Sequence, residues 1–183
     1  GRSLLAQAGY PGGKGFPEIT WLQPTASEDE RIVPYLRQSW HEVLGVKLDS
    51  ESMEWPEYYQ RFTNDPAHLT IMGWGADYPD PDNMLRITFH SKEGLNAPRW
   101  CDPRFDTLVE KAKRVTDQDQ RMQLYSQADK ILVAEQAVIM PIGYSRGWML
   151  VKPWVTLPYA LSCQMPFNRF ILDTIQQKSG VHS

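Results

Sequence analysis

The sequence predicts an α/β fold, a mixed, largely parallel sheet flanked by helices, and three observations carry that prediction. Residues 18–22, 46–48 and 68–72 read as short apolar strands. Two stretches with apolar residues at helical spacing lie between them. The resulting β-α-β-α-β order suits a parallel sheet with helices packed on it, in which ligands gather near the carboxyl ends of the strands.

In chain order, residues 4–8 read as a short helical piece ending at Gly9. Tyr10, Pro11, Gly12, Gly13, Lys14, Gly15 and Phe16 form a loop too rich in Gly and Pro for anything else. It is not a phosphate cradle, because Lys14 is followed by glycine and the loop precedes a strand rather than a helix. Ser27 and Glu30 have capping-box spacing, Ile32, Leu36, Trp40, Val43 and Leu44 recur on one helical face, and Gly45 is a good stop. Pro34 conflicts with a cap at Ser27, so the helix either starts later or bends. A second helix is expected over 53–62, entered through Pro56.

Beyond the third strand, a helical turn is expected from Asp82 to Phe89, then a polar loop over 90–100. Asp102 and Pro103 mark a clean helix start, with Phe105, Leu108, Val109 and Ala112 as the apolar face. Residues 116–119 cap another helix, in which Met122, Tyr125 and Leu132 recur. Strands are expected at 137–144 and 148–151, a loop over 153–166 and a last strand within 167–175.

Composition narrows the function. The chain has 183 residues, 42% hydrophobic and 22% charged, with a net charge of -3. It can bury a core but has no electrostatic footprint for nucleic acid. No apolar stretch approaches the roughly 20 residues of a membrane helix. The chain opens Gly1, Arg2, Ser3 without Met or leader, which reads as a piece of a longer protein, so the absence of a targeting signal says nothing of location. The two cysteines, Cys101 and Cys163, fit one disulfide or two thiols, and free thiols are favoured because a chain of this size needs no staple.

The stretch with chemistry is Gly73-Trp74-Gly75-Ala76-Asp77, followed by Tyr78, Pro79, Asp80, Pro81 and Asp82. Gly73, Gly75 and Ala76 leave the main chain bare, so a ligand backbone can lie against it. Trp74 offers a flat apolar wall and Asp77 a negative charge beside it. A core strand ending in an acidic turn is the plainer alternative. Asp77, Asp80 and Asp82 resemble a calcium loop only superficially: prolines interrupt them and no closing Glu follows, so a turn plus helix cap is preferred. His41, His68, His90 and His182 lack zinc spacing, and no Gly-x-Ser-x-Gly elbow is present. No metal, cofactor or catalytic nucleophile is expected. A hydrolase using paired carboxylates stays open. Trp55 is a candidate pocket wall, whereas Trp21, Trp40, Trp100, Trp148 and Trp154 read as packing.

Several stretches in register resemble one family. Residues 9–17 are similar to its Gly-rich entry into the C-terminal lobe, and Glu54, Trp55 and Tyr58 to its turn into the second helix. Residues 73–81 resemble its most specific motif, and residues 102–106, 121–125 and 151–155 follow in the same order. The family is the extracytoplasmic solute-binding proteins of peptide ABC importers, the oligopeptide- and dipeptide-binding type (solute-binding protein family 5). The resemblance implies one lobe of a type II-like periplasmic binding protein, a non-enzyme that captures peptides. It implies residues 1–17 as a helix end and linker, 18–165 as the C-terminal ligand-binding lobe, and 166–183 as a tail returning to the other lobe. By that match Asp77 holds the ligand's ammonium, Gly73, Trp74, Gly75 and Ala76 run along its backbone, and Trp55 borders a side-chain pocket. Ile71 departs from the pattern, since some members carry an Arg there for the ligand carboxylate. The implied partners are a peptide or related small solute, the membrane permease of an ABC importer and the N-terminal lobe, in a periplasmic or membrane-anchored extracytoplasmic setting. An oligosaccharide or metal chelate is the alternative cargo.

Overall fold

β1 (Ile19–Pro24) is the strand around which the first part of the chain is assembled. The computed structural model describes residues 1–25, 31–144, 148–157, 170–173 and 175. By packing these divide into two units, Gly1–Gly73 and Trp74–Ser183, which are taken in turn.

In the first unit β1 is the middle strand, with β2 (Leu48–Met53) on one side and β3 (Leu69–Thr70) on the other, all parallel. Ile19 pairs with Leu48 and Trp21 with Leu69. The expected strand at 46–48 therefore lies further along the chain. Its polar residues Asp49, Ser50, Glu51 and Ser52 are drawn into pairing by β1, and an edge strand can leave such side chains in water. β3 is shorter than expected, although the Ile71 N–H still donates to the Leu22 carbonyl at 3.2 Å.

The connections are α2 (Ile32–Leu44) and α3 (Trp55–Asn64). The proposed cap at Ser27 to Glu30 lies outside the described residues. Pro34 sits in the first turn of α2, where a missing N–H costs nothing, so the helix starts late rather than bending. Gly45 ends it in the left-handed conformation at φ 70°. A Cβ on Gly13 would meet the Leu44 and Gly45 carbonyls at 2.5 Å, so the glycine loop after α1 (Arg2–Gln7) is fitted against the end of α2. Trp21, Leu22, Val33, Val46, Leu48 and Tyr58 are buried. The Tyr58 hydroxyl donates to the Ile71 carbonyl, and burial pushes its pKa up to about 12.

The second unit is mainly helical. α4 (Pro81–Phe89) and α5 (Pro103–Arg114) begin at Asp80 and Asp102, whose carboxylates accept from the N–H groups of Asp82 and Arg104. α6 (Gln118–Asp129) is capped by Asp117 and passes into a π-helical turn over Lys130–Glu135. Leu85, Phe105, Val109, Ala112, Tyr125, Ala128, Ile131 and Leu132 form its core. Met122, expected on the same face, is instead 40% exposed.

Residues 137–144 and 148–151 are not strands. Tyr144, Trp148 and Leu150 are almost wholly exposed, and among the described residues no segment pairs with theirs. Strand-like composition needs a neighbouring main chain to become a ladder. The antiparallel pair that does form joins β5 (Ile171–Leu172), inside the stretch expected to hold a last strand, to β4 (Val155–Thr156), which falls in the stretch expected to be loop and becomes a strand because β5 pairs with it. Cys101 is an exposed thiol, and Cys163 lies outside the described residues. Among the described residues no helix is long and apolar enough to cross a membrane.

Phe105 is fully buried and stacks edge-on against Trp100, with ring centroids 5.0 Å apart. Phe105→Ala is expected to destabilise the second unit by about 3–5 kcal/mol in urea unfolding, because the α5–α6 core cannot collapse into the space. A loss below about 1 kcal/mol would contradict this packing.

Candidate functional site

The motif after β3 leaves the sheet, crosses two glycines and ends at a helix start. Gly73 and Gly75 are exposed, and a Cβ on Gly73 would meet nothing within 4 Å. Among the described residues, Met72 to Ala76 make no main-chain to main-chain hydrogen bond. Trp55 and Gly73 belong to the first unit, and Trp74, Gly75, Ala76 and Asp77 to the second. Trp55 opens α3 half-exposed, beside the rings of Tyr58 and Tyr59 at 5.6 and 6.1 Å.

The structure brings Trp74 and Asp77 together through a residue that sequence reasoning passed over. The buried Asn83 accepts from the Trp74 indole N–H at 2.8 Å and from the Asp77 main-chain N–H at 3.2 Å. Its amide N–H donates to the Asp77 carboxylate at 3.3 Å. An amide opening a helix is ordinary in sequence, so the only available signal was its place one turn after the motif.

The three neighbouring carboxylates have different fates. Asp80 takes a two-pronged contact from Arg121 at 2.5 and 2.7 Å. That contact holds its carboxyl below the usual range, against a smaller opposing effect of burial. Burial acts most strongly on Asp82 and pushes its pKa up. The two hydrogen bonds from Arg86, both 2.7 Å, with those from Tyr78 and Tyr125, outweigh it and leave the carboxyl lowered. Burial, then the charge of Asp82, pushes the Tyr125 hydroxyl up to about 12. Asp77 is exposed and, among the described residues, has no basic partner. Its carboxylate instead accepts from the uncharged Asn83. With Asp80 and Asp82 bound to guanidinium groups, the trio does not converge on a cation, and no group of metal-ligating side chains occurs among the described residues.

Residues 1–96 match the family described as bacterial extracellular solute-binding proteins, family 5 Middle. The chain belongs to that family. Among family 5 relatives, the Di/tripeptide-binding protein 3 of Pseudomonas aeruginosa is 38% identical over 79% of this chain and 27% of its own length. Heme-binding protein A of Haemophilus influenzae is 32% identical over 84% of this chain and 28% of its own. The structure of the Escherichia coli murein tripeptide binding protein MppA superposes with a TM-score of 0.75 at 29% identity, covering 85% of this chain and 30% of that one. The α/β fold with its parallel sheet is thus that of periplasmic binding proteins. The chain spans about 27% of the length of the first of these relatives.

Two outcomes follow from the paired carboxylates. Their lowered values mean that Asp80 and Asp82 stabilise the folded state above the ordinary carboxyl value of 3.8 and lose that contribution as pH falls through the lower folded values. Arg121→Gln should therefore be less stable than the parent at about pH 6, with the difference shrinking toward zero near about pH 2 in urea titrations. A difference that does not change with pH contradicts the pairing. Arg86→Gln strands the buried Asp82 and should cost about 3–5 kcal/mol, read by the same titrations at neutral pH.

Proposed function

We propose that this chain is a ligand-binding part of an ABC importer's peptide-binding protein, working outside the cytoplasmic membrane with a further lobe and a membrane permease. The observation that carries the reading is the Asp77 carboxylate. Among the described residues it is exposed and has no basic partner, while Asp80 and Asp82 at the helix start are paired with guanidinium groups. An ammonium group complements the Asp77 charge, and a peptide supplies one at its N-terminus. The unpaired main chain from Met72 to Ala76 suits strand-like bonds to a peptide backbone, which give affinity without reading side chains. Trp74 supplies the apolar wall beside Asp77.

The names of the relatives support the peptide class, since di- and tripeptide-binding proteins and a murein tripeptide binding protein are among them. Binding rather than turnover is favoured because Asp80 is committed to Arg121 and is no free partner for Asp77 in acid–base chemistry. The haem-binding relative names a second cargo, whose propionates offer no ammonium for Asp77. The family's extracellular description supports a placement outside the cytoplasm, periplasmic or membrane-anchored in this reading.

In the full-length protein, Asp77→Ala is expected to weaken binding of a free-amine tripeptide by about 2–5 kcal/mol in calorimetry, the cost of truncating one side of a desolvated charge pair. N-acetylation of the peptide should cause a similar loss. Tight haemin binding unaffected by Asp77→Ala, with no peptide binding, would replace the peptide reading.

A further inference from the structure

We propose that Asn83 is the positioning residue of this site, holding the Trp74 ring and the Asp77 carboxylate in one fixed relation so that the site prefers a free ammonium over a blocked amine. The inference rests on the peptide-amine reading above and deepens it.

The chemistry of the partners fixes how the Asn83 amide is turned. An indole N–H and a main-chain N–H can only donate, so both require the amide oxygen. A carboxylate can only accept, which places the amide nitrogen toward Asp77. One planar group therefore ties the aromatic wall, the main chain at Asp77 and the anchoring charge together. It does so without adding a charge of its own. A Lys or Arg in the same place would occupy the carboxylate and exclude the ligand's ammonium.

Asn83 can act in this way because its own place is over-determined. It is 1% exposed. Its N–H donates to the Asp80 carbonyl at 3.1 Å in the first turn of α4. Asp80 caps that turn and is gripped by Arg121 of α6. The adjacent Asp82 is locked to Arg86, which also reaches Glu93 at 2.8 Å. The arginine-bound carboxylates thus keep the base of the site rigid, while Asn83 carries that rigidity to Trp74 and Asp77.

The test uses the full-length protein containing 5-fluorotryptophan, with Trp74→Phe identifying the Trp74 signal, and compares free-amine trialanine with N-acetyl-trialanine. In Asn83→Ala the Trp74 signal should move, and the preference for the free amine should fall about ten-fold or more, the range for stranding a buried hydrogen-bonding partner. Asn83→Asp preserves shape and an acceptor for the indole, so it covers the case in which the alanine variant fails to fold. There the Trp74 signal should stay, while the loss of trialanine binding on acidification should move to higher pH than in the parent, because a second carboxylate beside Asp77 raises the pKa of the pair. An unmoved Trp74 signal or an unchanged preference in a folded Asn83→Ala, or a parental pH profile in Asn83→Asp, overturns the proposal. If Asp77→Ala abolishes the preference and Asn83→Ala does not, only the positioning role fails. If Asp77→Ala leaves the preference intact as well, the amine-anchor reading fails and takes this proposal with it.

Discussion

Three carboxylates within six residues repel one another, and the way that repulsion is relieved organises the second unit. Asp80 and Asp82 lie at the start of α4, where negative charge is favoured by the helix end, and each also meets a guanidinium at short range. Arg121 reaches Asp80 from α6, so the contact that neutralises the cap also ties two helices together. Arg86 reaches Asp82 from one turn further along α4. The tyrosines at 78 and 125 complete the shell of Asp82, and their hydrogen bonds join those of Arg86 in outweighing burial, which pushes its pKa up, so that the carboxyl ends lowered. Asp77 is the member that, among the described residues, meets no guanidinium.

The main chain leading to Asp77 has a related character. β1 pairs along its whole length with β2 but only over two residues with β3. From Met72 to Ala76 the chain makes no ladder bond among the described residues. Just before that point, Tyr58 takes the Ile71 carbonyl. The strand is thereby ended by a side chain rather than by fraying, and the glycines beyond it keep their polar groups in water. Unused donors and acceptors on an exposed stretch are costly in a core and tolerable at a site that a ligand backbone can complete.

Much of this was legible from residue types. The β-α-β-α-β order, the cap at Asp102, a cap within 116–119, the stop at Gly45 and the bare glycines flanking Trp74 all rest on local chemistry that one sequence displays, whereas the helix expected from Asp82 begins at a cap on Asp80. The failures share a cause. Residues 137–144 and 148–151 have strand composition without a partner, while the polar Asp49 to Ser52 lack strand composition and form a strand because β1 lies beside them. Pairing is a property of two segments, and a pattern within one segment cannot report it.

By itself, then, the sequence determined the α/β class, the helix boundaries set by Pro, Gly and Asp, and the identity of the motif that ends at Asp77, because each depends on backbone preference within a few residues. Tertiary structure alone decided that Asp80 is paired with Arg121, since the two are 41 positions apart and nothing local links them. It also decided the part played by Asn83, whose three contacts exist only once the first turn of α4 folds back against the motif.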